Sequence, residues 1–109
     1  PGTFAFITAD QVPAGLDPEA MITEPEGVTL VVAADAARSA GYAVDFEAAW
    51  LTLDVHSALD AVGLTAAFSA ALAERAIPCN VLAGYHHDHI LVPVDRADEA
   101  VAVLEALRS

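Results

Sequence analysis

The chain has 109 residues, 56% of them hydrophobic and 18% charged, enough apolar material for a core and too little charge for a disordered composition. Four Lys+Arg against sixteen Asp+Glu leave a formal net charge of −12. A surface of that sign repels phosphate backbones and anionic lipid, which excludes nucleic acid and the membrane surface as partners and makes a phosphorylated substrate awkward to hold.

Apolar runs are too short to span a bilayer, and no basic segment precedes a hydrophobic one. The chain opens on Pro1, so an N-terminal segment is expected to precede it. The single cysteine, Cys79, forms no internal disulfide and sits among apolar neighbours, which suits a reducing cytoplasm and a packing role.

Gly2 to Ala9 is rich in aromatic and β-branched residues and reads as a strand. Asp10 to Pro18, with two prolines and a glycine, reads as a loop. Met21–Glu24 and Val28–Ala33 read as extended pieces around the turn Pro25-Glu26-Gly27. Ala34 to Ala40 follows as a short helix stopped by Gly41.

From Trp50 to His56 the pattern alternates, Leu51, Leu53 and Val55 on one face and Thr52, Asp54 and His56 on the other, as in a half-buried strand. Leu64, Ala67, Phe68, Ala71 and Leu72 recur at helical spacing between Gly63 and Ile77, and Pro78 stops that helix. Cys79–Ala83 and Asp88–Val94 read as further strands. Asp95 is expected to open a last helix whose buried stripe is Ala97, Ala100, Val101, Leu104 and Leu107. Strand, helix, strand, strand, helix implies two helices on one face of a sheet.

The stretch GYHHDHILVPV, Gly84 to Val94, holds three of the four histidines. On a strand His87 and His89 share one face, and His86 and Asp88 the other. A zinc site would use His87 and His89 with His56, but no second ligand pair stands at a familiar spacing. Acid–base catalysis by these groups with Asp88 needs a cleft and a nucleophile, and Ser57 lies in no nucleophile elbow. The plainer account is that polar residues mark where a turn enters a strand, beside a ligand pocket at most. No metal, cofactor or catalytic residue is expected.

The loop from His56 to Phe68 offers more. Gly63 lets backbone or ligand approach closely, and the amides of Gly63, Leu64 and Thr65 at a helix start are donors suited to a carboxylate. Asn80, expected on the adjoining strand, carries both donor and acceptor, and Asp60 accepts from an ammonium or guanidinium. Those are the two needs of a free amino acid. The competing account is that Gly63 serves packing and Asp60 is merely solvated.

The run VGLTAAFSAALAERAIPCNVLAGYHHDHILVPVDRADEAVAVLEAL, Val62 to Leu107, resembles an ACT domain, the small regulatory module of amino-acid metabolism. LTLDVHSALDAVGLTAAFSAAL with CNVLAGYHHDHILVPV is similar to a bacterial family of small ACT-like proteins, related in fold to aspartate-kinase regulatory domains and CASTOR-type sensors. The resemblance implies an α+β, ferredoxin-like βαββαβ fold in two ACT-like halves, a degenerate lobe over 1–48 and an ACT domain over 49–109. It also implies an amino-acid-like ligand, held by Asp60, Val62, Gly63 and Leu64 of the loop and by Asn80 and Val81 of the second strand, often between two ACT units. Exposed sheet edges predict a homodimer. The alternatives are an interaction module with a vestigial pocket and a His-based metal enzyme.

Overall fold

The computed structural model describes residues 2–53 and 64–107, in two compact units that divide after Ala48. In the first unit β1 (Phe4–Ala9), β2 (Ala20–Glu24) and β3 (Gly27–Ala33) form antiparallel pairs in the order β2-β3-β1, and α1 (Ala34–Ser39) follows. Asp10 to Glu19 is irregular, so this half has the strand order of a ferredoxin-like unit without its first helix. Its composition explains why: Pro13, Gly15 and Pro18 within six residues deny a helix its backbone bonds.

Alternation builds the first core. Ala5 and Ile7 of β1 face Val32 and Leu30 of β3, and these four bury against Ala34 and Ala37 of α1. The two-residue turn Pro25-Glu26 joins β2 to β3, and Glu24 pairs with Gly27 across it. Gly27 has φ 146, and a Cβ there would lie 2.5 Å from the Ala9 carbonyl oxygen, so the turn needs glycine.

In the second unit β4 (Ala48–Thr52, all but its first residue), α2 (Leu64–Glu74), β5 (Asn80–Ala83), β6 (Asp88–Pro93) and α3 (Ala97–Ala106) follow in order, with strands arranged β4-β6-β5. Phe68 and Leu72 of α2 and Ala100 of α3 share one core with Ile90 and Val92 of β6, so both helices cover the same face. Ala49, Leu51, Leu53, Cys79 and Val81 pack against it, and Cys79 is half-buried there. No described helix is long and apolar enough to cross a membrane.

Two details depart from the sequence pattern. The last helix begins at Ala97 after a 3-10 turn over Val94–Arg96, and Asp95 makes no side-chain cap. Its inner stripe is Ala97, Ala100, Val103 and Leu104, whereas Val101 and Leu107 are exposed. The cause is long-range. Arg96 turns its guanidinium onto the end of α2, donating to the carbonyl oxygens of Arg75 (2.9 Å) and Ala76 (3.3 Å), and this sets where α3 starts.

Candidate ligand-binding site

The end of β4 is fixed by one bond: the amide of Leu53 donates to the carbonyl of Asp88 at 2.9 Å. From there the chain leaves for α2 through residues 54–63. Asp60, Val62, Gly63, His56 and Ser57 all belong to that stretch and lie outside the described residues. Leu64 is the first residue of α2.

The orientation of α2 follows from its other end. Arg96 stands just after β6 and holds the carbonyls of Arg75 and Ala76, so the C-terminus of α2 lies at the Pro93 end of β6. Eleven helical residues rise about 16 Å, comparable with the length of β6, so the helix start lies toward the opposite end of that strand, where Asp88 stands.

Asn80 and Val81 open β5. Asn80 pairs with Leu91, Val81 with Ile90 and Ala83 with Asp88. Period two therefore points the first two to opposite faces: Val81 joins the helix-covered core, and Asn80 lies exposed on the other side. Asn80 is also three residue pairs, about 10 Å, from the Asp88 end at which β4 runs out. Within the second half, then, β5 places Asn80 at the end of the sheet remote from the start of α2.

On the helix-free face Trp50, Thr52 and His89 form a hydrogen-bonded group. The Trp50 indole Nε1–H donates to Thr52 Oγ1 at 3.2 Å, and Thr52 Oγ1 shares a hydrogen bond with His89 Nδ1 at 3.0 Å. The Trp50 and His89 rings lie 5.1 Å apart. Alternation along β4 puts Trp50 and Thr52 on one face, but His89 as their cross-strand partner is not visible in sequence.

The remaining histidines belong to the turn from Gly84 to His87, closed by the Gly84 amide on the His87 carbonyl at 2.9 Å. His86 is exposed, its ring 5.0 Å from that of Tyr85. Among the described residues no three His, Cys, Asp or Glu side chains converge as a metal cage requires.

Asp88 is only 7% exposed, the single buried polar residue among those described, and it shares a strand face with the core residues Ile90 and Val92. The sequence pattern placed this acid at the first position of a strand, as observed, and gave no hint of its burial. The first half holds a different polar group. Arg38 bonds Glu47 and Asp35, and the Thr3 hydroxyl donates to Glu47 at 2.8 Å. The hydrogen bond from Arg38, then that from Thr3, holds the Glu47 carboxyl below its ordinary range, and the bond to Glu47 raises Arg38.

Two helices on one face of an antiparallel sheet, repeated in a reduced form in the first half, define a class of small α+β modules. Family profiles described as ACT domain match residues 45–106 and, separately, residues 1–49. The chain belongs to the ACT-domain family, and its fold is the ferredoxin-like α+β arrangement of that family. It is also similar to a Vibrio cholerae protein of unknown function, described as a "Possible Transport Protein", whose crystal structure superposes with a TM-score of 0.90 at 45% identity, covering 95% of this chain and 82% of that one. No curated protein matches the chain. ACT domains are typically regulatory, ligand-binding modules rather than catalysts.

Proposed function

We propose that this chain is a regulatory module that binds a free amino acid or a similar zwitterion, carries out no chemistry, and works as a homodimer in the cytoplasm. The match of both halves to the ACT domain carries this reading. The ligand's carboxylate is received by the amides of Gly63 and Leu64 at the start of α2 with Val62 beside them, and its ammonium by Asp60. Asn80 and Val81 complete the berth from β5.

A thermal-shift series with the twenty amino acids tests the reading. A ligand that binds only the folded state stabilises it by RT ln(1 + [L]/Kd), about 2.7 kcal/mol at a hundred times Kd. At least one amino acid is expected to raise Tm in proportion to the logarithm of its concentration, and Gly63→Val to abolish the rise. A flat series across all twenty would leave the interaction-module reading in its place.

A further inference from the structure

Resting on the homodimer proposed above, we infer that two copies of this chain join through the free edge of β2, strand to strand across a two-fold axis at Ile22. The sheet of the first half thereby continues from one copy into the other.

β2 ends the strand order β2-β3-β1, with β3 on one side and no described strand on the other. Glu24 and Gly27 face each other across a two-residue turn, so they form a hydrogen-bonded pair. Alternation makes Ile22 and Thr29 a bonded pair too, and turns the N–H and C=O groups of Met21 and Thr23 outward. The strand lacks the usual defences of an edge. Its sequence AMITE has no lysine and no proline, and the carboxylate of its one acid, Glu24, accepts the Thr29 hydroxyl of its own sheet. Met21 and Ile22 are 54% and 44% exposed, on opposite faces. Met21 pairs with Leu30 on the face that α1 covers, and the helix missing from this half leaves it open.

The strand is complementary to itself. An axis at Ile22 sets Ile22 against its own copy, Met21 against the partner's Thr23, and Ala20 against the partner's Glu24. The outward backbone groups of Met21 and Thr23 then meet as bonded pairs on both sides of the axis, with the two isoleucines as the close pair between them. An axis on Met21 or on Thr23 pairs only residues 20–22 or 22–24 instead of the whole strand. Charge points the same way. With a net charge of −12, two copies join only where their acids stay apart. In this register each Glu24 faces an alanine, and the two Glu24 residues stand about 13 Å apart along the strands, beyond the Debye length of about 8 Å at physiological salt.

Backbone hydrogen exchange on the whole chain, followed by NMR at high and low protein concentration, tests the pairing. The amides of Met21 and Thr23 are expected to slow by at least about tenfold at the high concentration, whereas those of Ile22 and Glu24, bonded to β3, are protected at both. In sedimentation equilibrium Ile22→Lys and Thr23→Pro should each raise the dimer dissociation constant at least about tenfold. Thr23→Pro removes only an outward amide and keeps the bonds to β3, and Val101→Lys, on the exposed side of α3, should change nothing. Circular dichroism checks that each variant folds, and where one does not, exchange in the parent chain decides. A dimer that both β2 variants leave intact, or Met21 and Thr23 amides that ignore concentration in a chain that dimerises, overturns the inference while the homodimer reading stands. A chain that sediments as a monomer at every concentration removes both.

Discussion

The amide of Ile77 donates to the carbonyl of Leu72 at 3.0 Å, and Ala76, between them, has φ 56. This six-to-one closure with a left-handed residue before it is the usual way a helix end satisfies its last carbonyls. The left-handed position is ordinarily glycine, because a Cβ there crowds the carbonyl and costs roughly 1 kcal/mol. Here alanine occupies it, and Arg96 donates to the Ala76 carbonyl at 3.3 Å. Ala76→Gly is therefore expected to stabilise the chain by about 0.5–1 kcal/mol, contrary to the usual sign for alanine to glycine in a helix. Chemical denaturation with an unchanged m value measures it, and a lower midpoint refutes it.

The Arg38–Glu47–Thr3 group gives the first half an acid limb. Glu47 is depressed in the folded state, so its contribution to stability is complete above the ordinary glutamate value of about 4.3 and is lost as pH falls through that value toward the folded one. Glu47→Gln should remove this part of the pH dependence while changing little of the slope above pH 6. Urea midpoints at half-unit steps from pH 3 to pH 7 decide the matter. Superimposable acid limbs for the two proteins would show that Glu47 carries none of it.

Much of this architecture was readable before any coordinates. The alternation of Leu51 and Leu53 with Thr52, the spacing of Phe68 and Leu72, and Pro25-Glu26-Gly27 each state a local preference that packing then honours. What escaped depends on partners distant in sequence. Asp95 looked like a helix cap, yet Arg96 is drawn to carbonyls twenty residues back and delays the helix by a 3-10 turn. Val101 and Val103 are equally apolar, and only the seat of α3 on β6 turns Val103 inward. The candidate site is less legible still. Alternation would have separated Asn80 from Val81, but only the antiparallel register against β6 fixes the end of the sheet that Asn80 occupies.

The turn between β5 and β6 depends on a residue without a side chain. A Cβ on Gly84 would lie 2.9 Å from the backbone oxygen of His87 and 3.3 Å from Nε2 of His89. The first contact is with backbone that also accepts the Gly84 amide, so it cannot move away without losing that bond. The second presses on an imidazole that stands against Trp50 and bonds Thr52. Gly84→Ala is accordingly expected to cost about 1–3 kcal/mol, the range of a tight backbone position forced to shift. Trp50 is the only tryptophan, so its fluorescence reports whether the imidazole has been displaced. A destabilised variant with an altered emission maximum is the expected result, and a variant as stable as the parent with unchanged emission would mean that the turn has room for a methyl group.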